Sequence, residues 1–448
     1  MKTKLPYLFI ALACVAGSLW AAPPQYRIID LGTLPGGSTS SAYGINDSNQ
    51  VVGDSDSGDS DGNTHAFLYS YPDGTMQDLG VLPAGTYSHA LGINNSEQVV
   101  GYADALYTNS YGSESTPHAF LYSTNGGMQN LGTFPPTTDP GVYGSYTEAD
   151  GINNSGQIAG YGEVSYLATD SGEHAFLYQG GIFQDLGTAA DSYNYGSEAY
   201  AINNSGQVVG VSYDAYYDNH AFLYSGGPLQ DLGSLGGAIS AANGINDVGQ
   251  VVGDSLTASD SEDAFLYTGG VMQDLGVISN GTGSSAFGIN NSGQIVGNAG
   301  NPSGNDVAFI YVNGIMYDLN TLVSSNNMAD FSILDHASAI NNEGWIVGYG
   351  NITGSEPGSL FGRQAFLAIP QTVSSTPPIF QATLASSNMI TFTWSTVVSD
   401  VYQVQYTTNL NFTNWSNLGG SVTASNATAF ASDSITNSQR FYRIMLLQ

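Results

Sequence analysis

Cysteine and basic side chains are almost missing from this chain: one cysteine and six lysines plus arginines stand beside 37 aspartates plus glutamates in 448 residues. The lone cysteine, Cys14, lies in an apolar run from Leu5 to Val15 that follows the short basic start Met1-Lys2-Thr3-Lys4. With the small-residue site ending at Leu19-Trp20-Ala21, this stretch reads as a secretory signal peptide over residues 1–21. Ala11-Leu12-Ala13-Cys14 fits a lipoprotein box poorly, because the apolar run before it is short and its leucine is displaced. Cleavage after Ala21 leaves no thiol, which excludes disulfides, thiolate metal sites and thiol nucleophiles.

The same cut removes both lysines and takes the formal net charge from −31 to −33. Arg27, Arg363, Arg440 and Arg443 are then the only strong cations. Affinity for phosphate backbones rests on clustered Lys and Arg, so nucleic acid is excluded as a partner. Anionic membrane surfaces are excluded on the same ground, and no apolar span of membrane length follows the signal. The acidity fits an exported chain that lives with divalent cations or salt. Low hydrophobicity would imply disorder, but 42% hydrophobic residues in strict repeat order imply a packed fold.

Three signatures recur. Gly-Ile-Asn or Ala-Ile-Asn begins at Gly44, Gly92, Gly151, Ala201, Gly244, Gly288 and Ala339, in steps of 43 to 59 residues. Ala-Phe follows each copy, at Ala66, Ala119, Ala175, Ala221, Ala264, Ala308 and Ala365. Asp-Leu-Gly or its variant starts at Asp30, Asp78, Asn130, Asp185, Asp231, Asp274 and Asp318, out of phase, with one copy before the first Gly-Ile-Asn. Short β-branched and aromatic runs bounded by Gly, Asn and Ser read as strands, and tight turns such as Asn94-Asn95-Ser96-Glu97 and Gly180-Gly181 join them as hairpins. Four strands per repeat in seven copies predict an all-β, seven-bladed β-propeller over residues 22–370. The phase offset predicts closure by the N-terminal strand, with Tyr26-Arg27-Ile28-Ile29-Asp30-Leu31 beside Arg363-Gln364-Ala365-Phe366-Leu367.

The motifs His65-Ala66-Phe67, Gly151-Ile152-Asn153-Asn154-Ser155-Gly156-Gln157 and Asp30-Leu31-Gly32-Thr33-Leu34 resemble the HAF-type bacterial extracellular repeat family over roughly residues 26–369. Departures fall where Asp263, Val307 and Gln364 replace the motif histidine and where Asn130 replaces aspartate. The resemblance implies export and repetition, without a defined chemistry. After an extended Ser/Thr/Pro linker at 371–378, residues 379–448 resemble a fibronectin type III-like β-sandwich, with Trp394 as its expected core tryptophan.

The recurring His65, His118, His174 and His220 occupy one repeat position and are expected to form structural hydrogen bonds, as is the repeated aspartate of Asp-Leu-Gly. The Asn-x-Ser matches at Asn94, Asn153, Asn203 and Asn290 are better read as hairpin turns than as glycosylation sites. The sharpest metal candidate is the acidic loop from Asp54 to Asn63, where Asp54, Asp56, Asp59 and Asp61 alternate with small residues as in calcium loops, although the spacing is not that of an EF-hand.

Loop variation concentrates on one face, in segments such as Tyr102 to Pro117, Thr133 to Ala149, Tyr161 to Glu173 and Thr188 to Glu198. There Tyr107, Tyr111, Tyr143, Tyr146, Tyr193, Tyr195, Tyr213, Tyr216 and Tyr217 interleave with carboxylates, among them Glu148. Flat rings with polar tips suit stacking on sugars, and carboxylates accept hydroxyl hydrogen bonds. The expectation is a secreted, non-enzymatic scaffold, with no catalytic residue and no required cofactor beyond possible calcium, that binds an extracellular polysaccharide or, failing that, a protein. The alternatives are a polysaccharide-cleaving enzyme using a carboxylate pair or calcium, and a structural surface or matrix component.

Overall fold

The computed structural model describes residues 23–58, 63–109, 112–134, 146–166, 170–189, 196–213, 218–355, 358, 362–371, 381–385, 389–395, 401–408, 415–425, 428–434 and 440–446. The expected signal peptide and all of the expected linker after Gln371 lie outside them. The chain divides into a compact unit, Pro24–Gln371, and a second unit formed by the carboxy-terminal residues from Thr372 on.

In the first unit each repeat becomes a four-stranded antiparallel sheet whose strands follow in sequence order. The first sheet comprises Ser40–Ile45, Gln50–Asp56, Thr64–Ser70 and Thr75–Asp78. Five more sheets follow the same order. The seventh takes Phe331–Ile340, Ile346–Ile352 and Arg363–Gln371 from the end of the unit and Gln25–Gly32 from its beginning, with Ile29 opposite Leu367 and Asp30 opposite Phe366. The first strand of every sheet packs against those of both flanking sheets, and that of the seventh packs against that of the first.

The repeated residues account for this order. Asn46 closes its hairpin by accepting the Ser48 and Gln50 N–H groups on Oδ1 (3.0 and 2.9 Å), an Asx turn. Its Nδ2 reaches the Asn94 carbonyl of the next sheet (3.1 Å). Asn94, Asn153, Asn203, Asn246 and Asn290 each repeat that step, and Asn341 returns to the Asn46 carbonyl (3.1 Å), so the circuit of hydrogen bonds closes on itself. A hydroxyl adds a second tie between sheets: Ser88 Oγ accepts the Ala66 N–H (2.9 Å) and donates to the Gly80 carbonyl (2.6 Å). Ser40 does the same for Ala365 and Gly32, joining the seventh sheet to the first. The Ala-Phe phenylalanines, Phe67 and its six equivalents, are fully buried between sheets.

One irregularity recurs in all seven first strands. The register slips by one residue just before Gly-Ile-Asn, between Ala42 and Gly44 in the first sheet, which leaves Tyr43 as the extra residue of a β-bulge. The paired strand carries Gly53 opposite, where a Cβ would fall on the Ser41 carbonyl, so glycine is required there.

The second unit has its own core. Gln381–Ala385, Met389–Ser395 and Thr428–Ser434 form one sheet, and Val401–Thr407 with Phe441–Leu446 and two short strands forms another. Trp394 and Phe392, each 1% exposed, pack with Tyr402 and Val404, as expected for the tryptophan.

Candidate functional site

A bulge re-aims a side chain. The seven bulge residues are Tyr43, Leu91, Asp150, Tyr200, Asn243, Phe287 and Ser338, and all line one cavity of about 420 Å³ enclosed by the first strands. The alanine before each bulge and the Ile-Asn pair two residues after it repeat, whereas the bulge residues do not. At one end the cavity meets the uniform asparagine circuit. Toward the other end the side chains diverge, and in the third and fourth sheets they become acids and tyrosines.

The strand Thr147–Ile152 supplies Glu148 and Asp150, and Ser197–Ile202 supplies Glu198 and Tyr200. Tyr161 donates its hydroxyl proton to Glu148 (2.9 Å), and Tyr200 and Tyr213 both donate to Glu198 (2.7 Å each). Tyr146 donates to Glu173 (3.2 Å). The rings meet edge to face, Tyr146 on Tyr161 at 5.8 Å and Tyr161 on Tyr200 at 6.5 Å. Burial raises the Glu148 carboxyl, opposed by the Tyr161 hydrogen bond. Burial also raises Glu173, and repulsion from Glu198 adds to the rise. Asp150 is pushed well up by burial and then by Glu148 and Glu198. It is part-exposed to the cavity, yet its Oδ2 is shut off from water without a hydrogen-bond partner.

The rest of the rim is mixed. Asp54 holds His89 Nδ1 at 2.6 Å, and His89 stacks on Tyr102 at 4.8 Å. His336 stacks flat on Tyr349 at 4.7 Å with the Arg363 guanidinium 4.3 Å over that tyrosine; burial lowers His336 to about 4, so it is neutral. Asp254, held by Asn243 at 2.8 Å, and Asp335 are both raised to about 6, chiefly by burial.

Of the nine tyrosines singled out in the sequence, Tyr146 and Tyr213 stand in the acid sector. Tyr107 lies in the strand Val99–Asn109, with its side chain outside the described residues. Tyr111, Tyr143, Tyr193, Tyr195, Tyr216 and Tyr217 lie outside them altogether. The segments from Tyr102 to Pro117 and from Tyr161 to Glu173, read as loops, are largely strand: Val99–Asn109 pairs with Gly112–Ser123, and Ile158–Tyr166 with Asp170–Gln179. Alternation in both hairpins was hidden by tyrosine, serine and glutamate at positions where strands usually show aliphatic residues.

Asp54 and Asp56, expected to share a cation, have separate commitments. Asp54 holds His89, while Asp56 accepts the Ser38 and Thr39 N–H groups, the latter at 2.8 Å, within a strand that runs to Asp56. Asp59 and Asp61 lie outside the described residues, among which no cluster of three or more His, Cys, Asp or Glu could hold a metal. The motif histidines pair with the repeated aspartate, His65 with Asp78 and His174 with Asp185 at 3.0 Å, and His220 with Asp231 at 3.2 Å. His118 meets Asn130 instead. Asn94, Asn153, Asn203 and Asn290 are 3% exposed, with their side-chain nitrogens bonded, so these asparagines are turn residues.

Asp150, Glu173, Glu198, Tyr161 and Tyr200 were not singled out as a site. The signal was available: in Glu148-Ala149-Asp150-Gly151 and its equivalents the residues flanking Ala change from copy to copy inside an otherwise fixed motif.

Comparison with known proteins adds little at this point. A family described only as a protein of unknown function, DUF3466, matches residues 36–142, a span that includes the first two sheets and ends before the acid sector. No curated protein matches the chain. Among solved structures the chain is similar to a puromycin-hydrolyzing peptidase of Mycobacterium tuberculosis (11% identity, TM-score 0.47, 83% of this chain and 61% of that one). It is also similar to TolB from Acinetobacter baumannii (10%, 0.38, 62% of each) and to Trypanosoma rangeli sialidase (10%, 0.34, 86% and 72%). The chain thus spans less than two thirds of the first two. Likeness of this order leaves the fold to be argued from the strand pairings themselves.

Proposed function

We propose that Pro24–Gln371 is a seven-bladed β-propeller of HAF-type repeats, exported from the cell, that binds a polysaccharide at the variable mouth of its central cavity. It acts as a scaffold and not as an enzyme, and the carboxy-terminal unit is a fibronectin type III-like spacer. The closed asparagine circuit supports the ring. The observation that carries the binding reading is the convergence of four tyrosines on Glu148, Glu173 and Glu198 beside Asp150 and Tyr200, which line the cavity. Edge-to-face tyrosines held by carboxylates form a preorganised wall for a polyhydroxylated ligand, since their geometry is set before the ligand arrives.

Glycan cleavage is the weaker reading because the carboxylates of the sector are already engaged. Glu148 accepts from Tyr161, Glu173 from Tyr146, and Glu198 from both Tyr200 and Tyr213, whereas a glycosidase needs two carboxyl groups free to meet sugar and water. Titration calorimetry of the mature protein against soluble polysaccharides tests the proposal. Binding lost in Tyr200→Phe with Glu198→Gln, while the circular dichroism spectrum is kept, supports it; no binding to any neutral, acidic or amino polysaccharide refutes it. Release of reducing ends during the titration would move the protein to the enzyme class.

A further inference from the structure

The hydrogen-bond inventory of the acid sector is one-sided. Carboxylates accept only, and a tyrosine hydroxyl whose proton is committed to a carboxylate has only lone pairs left to offer. Tyr146, Tyr161, Tyr200 and Tyr213 are all committed in this way. Asp150 Oδ2, enclosed and without a partner on the cavity wall, is a further acceptor. The two arginines of the unit lie elsewhere, Arg27 against Tyr71 and Arg363 against Tyr349, three sheets from Asp150. A wall built of acceptors and aromatic faces, whose nearest cation-capable side chain is His89, close enough to act on Glu148 but engaged with Asp54, is complementary to a donor that carries positive charge.

Resting on the polysaccharide reading above, we propose that the ligand carries protonated primary amines, as an amino sugar polymer does, and that Asp150 is the counter-ion of one of them. The ammonium supplies three donors and no acceptor, which matches what the wall lacks. Its charge relieves the repulsion among the crowded carboxylates. A divalent metal is the less suitable occupant, because it needs several oxygens converging on one point and no such cluster occurs among the described residues.

The probes are an oligomer of glucosamine and its fully N-acetylated counterpart of equal length, titrated into the mature protein at pH 6 and moderate salt. The amine form is expected to bind at least about tenfold tighter, the factor that a charge-assisted hydrogen bond brings over a neutral one. Lowering the pH to 4.5 should weaken it, because protonated carboxylates lose their charge while the amine keeps its own. Asp150→Asn, a substitution of equal shape that removes a crowded charge, should abolish the preference while Asp318→Asn, at a strand end, keeps it. Equal retention in both variants would mean attraction to net charge alone and would overturn the assignment. Should Asp150→Asn fail to fold, Glu198→Gln serves the same comparison. Equal binding of the two oligomers overturns the amine assignment and leaves the polysaccharide reading standing; binding of neither overturns both.

Discussion

The buried acids should make this protein more stable in mild acid than at neutral pH. Asp335 is 8% exposed and raised from its ordinary 3.8 to about 6. Between those values the folded state holds a proton that the unfolded state has released, so the stabilisation is complete below about pH 4 and is lost as pH rises through 6. A rise of about two units corresponds to about 3 kcal/mol. For a unit of roughly 350 residues the unfolding entropy near the midpoint is about 0.7 kcal/mol/K, so Asp335 alone is expected to lower Tm by about 4 °C between pH 3.5 and 7.5, of which about 2 °C falls above pH 5. Asp254 acts in the same direction, with less weight because it is partly exposed. Glu148, Asp150 and Glu173 add to the trend. Asp56, Asp104 and Asp247 are lowered by the hydrogen bonds they accept, against the penalty of burial, so their stabilisation is lost only as pH falls below about 4. Scanning calorimetry at constant ionic strength should therefore find the highest Tm near pH 4 to 5. Relaxation of the overall negative charge would give a similar trend, and Asp335→Asn separates the two causes. It should raise Tm by about 4 °C at pH 7.5 and by only about 1.5 °C at pH 4.5. A Tm equal or higher at pH 7.5 in the parent protein, or no gain in the variant, refutes the reasoning.

Deleting residues 25–32 removes the buried Tyr26, Ile28 and Leu31 and bares the edge of Arg363–Gln371; at about 2 to 5 kcal/mol for each large core side chain, against a total of about 5 to 15, aggregation on expression or loss of a cooperative melt is expected. Asn246→Ala breaks one link of the closed circuit and leaves the Gln250 N–H short of its acceptor, which should lower stability by about 1 to 3 kcal/mol in urea titrations. Chelation followed by calcium should leave the melt of the mature protein unmoved, because Asp54 and Asp56 already hold His89 and the Ser38–Thr39 backbone; a calcium-dependent rise would return the Asp54 to Asn63 loop to metal binding.

What could be read in the sequence follows from how the repeat is used. Residues that each copy needs for itself were visible because they recur: the Asn46 turn, the Phe67 core, the His65–Asp78 pair. The place of Gln25–Gly32 beside Arg363–Gln371 followed from phase alone. The site was only half legible, since Tyr146, Glu148 and Tyr213 were found by composition, whereas Asp150 and Tyr200 were passed over. Alternation assigns a strand residue to one of two faces, and a bulge breaks that rule at the position that turns into the cavity. His336 was hidden for a related reason, because its neutral, stacked state depends on Tyr349 and Phe287, and Phe287 arrives from another sheet.

The bulge also explains how Asp150 can be there, whereas Glu148 and Glu198 stay in the ladder and are held by tyrosine hydroxyls. The ladder residue just before the bulge packs between sheets, where an unpaired charge is expensive, and Ala42, Ala90, Ala149 and their equivalents stand fully buried there. The bulge residue is released from that ladder and meets the cavity, so it can change from Leu91 to Asp150 to Phe287 while its neighbours in the strand and the closing asparagine stay the same. Each copy therefore offers two variable positions, one on either side of the buried alanine, on a repeated frame. Burial, with repulsion from neighbouring carboxylates added, raises Glu148 and Asp150 and works against stability at neutral pH. A sector in which that cost is tolerated on so regular a frame is where the binding proposed above would outweigh the demands of folding.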